Sequence, residues 1–511
     1  MTTKTMPAVH RCLPRCFRQI PAALIGGFLL AGLSGHAQAE DISRQAQQLK
    51  TKYAAAIEDL AAWCDKQGMT AEAKTTRAAL GPHDPYKLYV PVLPREFGPP
   101  KLPDGASDNV VQWNQKFIQL RHDQAAALIE LARKAIGQRH ASLAYELTLD
   151  AIRHNPDNVD ARRLFGYQKY HNGWYTLYEV KKLRVGQVWD DQFGWIPKSD
   201  LPRYRHGERR ADGRWIGAEE DAKLHRDIRN GWQLETEHYV ICTNESVAVG
   251  VALGVKLETL YRLWQQIFIR YYATDAYVAS LLGSRSAQAR SPESHQFEVV
   301  YFRDRDDYNR ALRVAFPDVG MSTGLYLGEK RTAYFFAGKD SDQRTIYHEA
   351  THQLFDLSRH ISPDRGAKAN FWIIEGIAMY MESLHQEDGY YVLGGLDDAR
   401  MNTARTHLFK QDFFVPLAEL VKYGRERLQS DPKIAMLYSQ SAGMANFLFF
   451  YGDGRYRDAL VSYLSDIYSG HDDSDTLAKL TGCGYAELDK QYRQFMRVDE
   501  LSDPSKQPSG N

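Results

Sequence analysis

The stretch "YHEATHQLFD", residues 347–356, sets His348 and His352 four positions apart around Glu349. The run around it, "SDQRTIYHEATHQLFDLSRH", contains neither Gly nor Pro and predicts a helix from Ser341. Residues four apart share a helical face, so the two imidazoles can present nitrogens to one ion. Glu349 is turned about 100° around the axis, next to the ion's open coordination position. There it could take a proton from a water that the metal acidifies. Chance yields H-E-x-x-H in roughly 0.03 chains of this length and histidine content, so the decisive feature is a third ligand.

That ligand is found in "NFWIIEGIAMYMES", residues 370–383, where Glu375 is expected to open a second helix. An apolar helix that buries a carboxylate needs a compensating charge, and a coordinated cation supplies one. The ordinary alternative is a carboxylate near a helix N-terminus, favoured by the dipole. Two histidines and a glutamate leave a fourth zinc position open, which is the catalytic arrangement. Glu375 follows the second histidine after only 22 intervening residues. Glu382, seven residues further on the same face, is placed to orient a ligand histidine through a hydrogen bond. A metzincin pattern is excluded, because it needs Gly and His where this chain has Phe355 and Ser358. His360 falls at the wrong spacing and reads as a loop residue, and Asp356 reads as a helix-surface charge.

"HEATH" followed by "WIIEGIAMYME" resembles the gluzincin metallopeptidases of the peptidase-MA superfamily. The likeness is to the aminopeptidase branch, with its W-x-x-E-G-x-A-x-Y helix, and more closely to exported bacterial families. It covers roughly residues 231–495. The resemblance implies that His348, His352 and Glu375 are zinc ligands and Glu349 the general base. It also implies a tyrosine on a later helix that stabilises the oxyanion, and "MLYSQSAGMANFLFFY" makes Tyr438 that residue. A phenol there would donate to developing negative charge. "GLYLGEKRTAYFF" predicts a hairpin just before the motif, where this family has an edge strand that pairs with extended substrate. The G-x-M-x-N segment of the aminopeptidases is missing, "GMSTG" at 320–324 being only superficially similar. Exo- and endopeptidase activity therefore both stay open.

At 511 residues with 43% hydrophobic and 25% charged side chains, the chain is expected to form several domains. Its formal charge of zero gives no reason to expect nucleic acid as a partner. Residues 1–39 read as a cleavable leader, with basic residues before "IPAALIGGFLLAGL" and an Ala37-Gln38-Ala39 cleavage pattern. That predicts a periplasmic or secreted protein with no membrane span once the leader is removed. Beyond the leader, Cys64, Cys242 and Cys483 have no C-x-x-C spacing and read as small buried hydrophobes.

Residues 40–165 carry apolar residues at helical spacing, broken at Asn155-Pro156, and resemble a tetratricopeptide-type hairpin. Within them, "GPHDPYKLYVPVLPREFGPPKLPDG" reads as a proline-rich connector. Residues 166–230 repeat a Gly-turn and tryptophan unit at Trp174, Trp195 and Trp215, predicting short hairpins whose tryptophans fill a shared small core. From 231 to 500 the pattern is mixed. "EHYVICT" and "FEVVYF" read as strands, each leading into a helix, the first capped by Ser246. "GSRSAQARSPES" reads as an exposed loop, and residues 501–511 as a disordered tail.

The expected architecture is thus multidomain. A mainly helical N-terminal region and a small β tryptophan-repeat module precede an α+β, zincin-like domain with a helical C-terminal part. The expected function is zinc-dependent hydrolysis of peptide bonds in a peptide or protein substrate. Two alternatives stand beside it: an interaction protein that engages a protein partner through its N-terminal helices, and a zinc hydrolase of cell-wall peptides.

Overall fold

The computed structural model describes residues 27–97, 102, 104–138, 140–273, 277 and 296–497. Most of the proposed leader, the loop at 283–294 and the 501–511 tail lie outside them. The architecture is mixed α and β. No described helix is long and apolar enough to cross a membrane.

Five helices open the chain: α1 (Gly27–Lys66), α2 (Thr70–Ala78), α3 (Asp108–Gly137), α4 (Ala141–His154) and α5 (Val159–Leu164). Ser107 caps α3 by accepting from Val110 N, and the helix buries Phe117, Gln124, Leu128, Leu131 and Ala135, a three-to-four spacing. Alanines 125, 132, 144 and 151 are fully buried in the core that joins α1, α3 and α4.

The proline-rich connector is more than a link. It contains strand β1 (Lys87–Pro91), which pairs antiparallel with Tyr390–Gly394, 300 residues away, and Val90 is buried in the main core. Expectation and structure differ because a strand whose partner is that distant leaves no local hairpin signal.

Residues 167–224 form three successive units, each a two-stranded antiparallel hairpin followed by a short helix. They are β2 (Tyr167–Tyr170) and β3 (Gly173–Thr176) with α6 (Leu177–Arg184), β4 (Gln187–Asp190) and β5 (Gly194–Pro197) with α7 (Leu201–Arg205), and β6 (Glu208–Ala211) and β7 (Arg214–Gly217) with α8 (Ala218–Leu224). The tryptophans do not meet in one core. Trp174 is buried with its indole donating to Asp157, Trp195 packs on Trp189 and Tyr178, and Trp215 packs on Tyr204. Trp195 and Trp215 each reach back to the preceding unit, and Trp174, in the first unit, reaches back to Asp157 and Arg162 ahead of the repeats.

A five-stranded sheet follows, in the order β11-β12-β10-β9-β8. Its strands are β8 (Trp232–Glu235), β9 (Tyr239–Thr243), β10 (Phe297–Phe302), β11 (Leu325–Leu327) and β12 (Thr332–Phe336). β9, β10 and β12 run parallel, while the outer strands β8 and β11 are antiparallel to their neighbours. Helix α9 (Val247–Ile267), capped by Ser246, packs on this sheet through Leu253, Leu257, Leu260 and Trp264. A smaller sheet, β1-β14-β13, adds β13 (His385–Glu387) and β14 (Tyr390–Gly394). The motif helix (Gln343–Leu357), the Glu375 helix (Phe371–Met381) and the Tyr438 helix (Ile434–Gly454, with non-helical backbone at Tyr451–Asp453) share the largest core with the sheet.

Among the cysteines, Cys64 is fully buried and Cys242 and Cys483 are half-buried, and all three are free thiols.

Candidate metal centre

The motif helix starts at Gln343, two residues later than its composition predicts, because Asp342 caps it by accepting from Arg344 N at 2.9 Å. Tyr347, Ala350, Leu354 and Phe355 face the core. Gln353 fastens the helix to the sheet by donating to Glu298 O and Arg331 O at 2.9 and 3.0 Å. The turn this leaves free carries His348, Glu349 and His352 toward the Glu375 helix.

Asp356 is not the surface charge its position predicts. It is 7% exposed and takes both ends of the Arg365 guanidinium, with Nε–Oδ1 at 2.8 Å. A half-buried partner nine residues along the chain makes the difference. His360 is exposed beyond the helix end, as expected.

Glu375 is the fifth residue of its helix rather than the first, so the helix dipole is a weak account of its charge. All eleven residues of that helix are buried, Glu375 at 7% exposure. Its Oε2 lies 3.3 Å from His348 Nε2 and 3.8 Å from His352 Nε2, and the two ring nitrogens face each other at 3.1 Å. One donor atom from each of the three residues lies within 4.8 Å of the others. This group can hold a metal ion. The donor set fits one chemically: two imidazole nitrogens and a carboxylate oxygen converge in a buried place, and a cation between them would relieve nitrogen facing nitrogen.

The surroundings favour positive charge. Burial by itself would lower the His348 pKa, but hydrogen bonds to Glu375 and Glu382 outweigh it and raise it to about 10. Burial would raise Glu375, yet the neighbouring imidazoles hold its carboxyl well below the usual carboxylate range. Glu349 is pushed up by burial, with His348 and His352 opposing, and its Oε2 accepts from the backbone N–H of Tyr326 on β11 at 2.9 Å.

Glu382 lies just past the Glu375 helix, 5% exposed, with Oε1 2.8 Å from His348 Nδ1. Donation from Nδ1 to this carboxylate fixes the tautomer that leaves Nε2 facing His352 and Glu375. Tyr438 sits half-buried near the start of its helix. Burial first, and then the charge of Glu375, push its hydroxyl pKa up, with Gln429 opposing and Glu349 adding to the rise. The structure therefore brings His348, Glu349, His352, Glu375 and Glu382 together, with Tyr438 on a neighbouring helix within reach of the Glu375 and Glu349 charges.

Sequence reading missed Arg400. It grips both oxygens of Glu382, Nε to Oε2 at 2.8 Å and Nη2 to Oε1 at 2.9 Å. It lies 18 residues further on, in the helix Ala399–Lys410, where no spacing rule points back to Glu382. No protein-family model matches the chain, and no curated protein matches it in sequence.

Proposed function

We propose that this protein is an exported zinc-dependent hydrolase of peptide bonds, built on a zincin-like domain behind tetratricopeptide-like and hairpin-repeat modules. The observation that carries the reading is the convergence of His348, His352 and Glu375 to within 4.8 Å, with Glu349 on the same helix. These three residues would hold the ion, and two imidazoles with one carboxylate make a zinc site with an open position. When bound, zinc supplies Lewis acidity, acidifying a water and polarising a carbonyl.

The chain's own residues do the rest. Glu349 accepts the proton of the attacking water and returns it to the leaving amine. The Tyr438 hydroxyl donates a hydrogen bond to the oxygen on which negative charge develops. Glu382, steadied by Arg400, holds His348 in one tautomer. The outer strand β11, whose Tyr326 N–H is held by Glu349, would run alongside an extended substrate.

Export rests on the leader pattern in residues 1–39, and N-terminal sequencing of the secreted chain should begin at Glu40. For the activity, metal content is measured by mass spectrometry on residues 40–511 and on His352→Ala. One zinc per chain, lost in the variant, is expected. Glu349→Gln should keep the zinc while kcat on casein or purified peptidoglycan falls about 10²–10⁴-fold. No zinc after incubation with the ion overturns the proposal and returns the interaction-protein reading, and full activity in Glu349→Gln overturns the mechanism with Glu349 as base.

A further inference from the structure

The five-stranded sheet has a second outer strand. β11 lies against Glu349, whereas β8 is at the opposite edge, four strand spacings or roughly 19 Å away. A cleft of about 390 Å³ opens beside β8, within the ~300–1,000 Å³ usual for ligand clefts. It is bordered by every residue from 232 to 236. Successive side chains of a strand point to opposite faces. Five in a row can border one cavity only if it runs along the strand's edge, where main-chain N–H and C=O groups lie. Hairpin β4–β5 forms the facing wall, and among the described residues it makes no backbone hydrogen bond to that edge.

Among the described residues, one polar atom in the cleft lacks a partner, and one cation lacks a counter-charge. Gln187 Oε1 is shielded from solvent and accepts no hydrogen bond from any described residue. Arg209 lies over the rings of Phe193 and Tyr204, 4.8 and 5.5 Å from their centres. Its Nη1 donates to the carbonyls of Tyr204 and Glu208 at 2.9 and 2.8 Å. Its neighbours Arg203 and Arg210 face Glu208 and Asp200, but among the described residues Arg209 has no carboxylate at ion-pair distance. Of the other charges that border the cleft, Asp221 faces His225 and Glu235 faces Lys182. The pinned guanidinium of Arg209 is thus left without a counter-charge and is complementary to an anion carried on an extended chain.

We propose that this cleft binds an extended, carboxylate-bearing peptide segment as an added strand on β8. The carboxylate sits on Arg209, and an N–H of the peptide donates to Gln187 Oε1. Main-chain bonds to β8 supply affinity, and the side-chain pockets beside Trp189 and Trp195 supply selectivity. A sugar ring is disfavoured because it needs an open aromatic face. Trp189 and Trp195 meet edge to face at 5.7 Å and 68°, and His225 covers Trp232 at 4.8 Å. The cleft is remote from His348, so binding here does not depend on an ion at the centre.

The test is selection of a random decapeptide library with free C-termini on residues 40–511 carrying Glu349→Gln, which keeps bound peptides from being cut. Enriched peptides are then measured by fluorescence anisotropy. Their Kd should rise about tenfold or more in Arg209→Gln and also in Gln187→Leu, and stay unchanged in His352→Ala. Resynthesis with amidated C-termini, or with Asn and Gln for Asp and Glu, tells whether the carboxylate is terminal or on a side chain. Circular dichroism and melting curves establish that each variant is folded. No enrichment overturns the proposal, as do peptides indifferent to Arg209→Gln or lost only in His352→Ala. Trp195-dependent binding of neutral oligosaccharides on a glycan array, without peptide binding, overturns it in favour of a saccharide site.

Discussion

Glu382 shows how much of this centre depends on residues that would never touch an ion. Its carboxylate is 3% exposed and is shared between His348 Nδ1 and both donors of Arg400. Removing one partner of such a buried network leaves a charge uncompensated. Glu382→Gln frees the His348 tautomer, and Arg400→Gln leaves Glu382 answering only to His348. Both variants should weaken zinc affinity by about 10–100-fold, read by competition with a chelating dye. Equal affinity in both would mean that His348 is oriented by packing alone. The first of these residues was legible in sequence, because a seven-residue interval on a helix marks a shared face. The second was not, since nothing local ties Arg400 to a carboxylate in another helix. Asp356 failed for the same reason: its burial depends on Arg365, which the helical pattern does not foresee.

At the scale of elements, the glycine after Glu375 is explained by the helix it crosses. A Cβ at Gly376 would lie 2.6 Å from the backbone oxygen of Ser441 in the Tyr438 helix. Backbone cannot give way as a flexible side chain can, so Gly376→Ala should push the two helices apart. A cost of about 1–3 kcal/mol is expected, read as a lower Tm. Because those helices carry Glu375 and Tyr438, activity should fall further than zinc content does.

A second element-scale effect belongs to α4. His154 is 3% exposed, its ring edge-on to Tyr53 at 4.6 Å, with Arg153 Nη2 3.3 Å from Nε2. Burial first, then the Arg153 charge, lower its pKa to about 3; Asp150 opposes, while Arg121 and Lys50 add to the lowering. An unfolded histidine titrates near ~6.5. Between that value and about 3, only the unfolded chain takes up the proton, so this histidine makes the fold weaken as pH falls, by up to ~1.4 kcal/mol per unit. His154→Phe keeps a ring against Tyr53 and should flatten the fall in Tm between pH 7 and pH 4.5. Parallel profiles for the two proteins would assign the acid sensitivity elsewhere.

Across the whole molecule, sequence marked the composition changes near 165 and 230 but not how the parts are joined. Helical periodicity, the hairpin before the motif and the two strands that each lead into a helix are local patterns, and they were readable, whereas the parallel pairing of those strands was not. The pairing of β1 with β14 spans 300 residues and has no local signature. It nevertheless reaches the metal centre. β14 is the middle strand of its sheet, and Gly394 N donates to Ser383 Oγ at 2.8 Å, one residue from Glu382. Lys87 closes the same join on Asp397 at 2.9 Å, and Arg457 pairs with Glu146. The N-terminal helices are therefore part of the support for Glu382, and through it for His348. Val90→Asp places a charge at a position only 3% exposed and should cost several kcal/mol, opening the β1–β14 ladder without deleting anything. Loss of Tm together with weaker zinc binding is expected, and a chain of residues 231–511 should show both more severely. Trp215→Ala, in the third hairpin and away from this join, should leave zinc affinity unchanged. If residues 231–511 alone melt and bind zinc like the longer chain, β1 only decorates the sheet, and the support of Glu382 is complete within the C-terminal half.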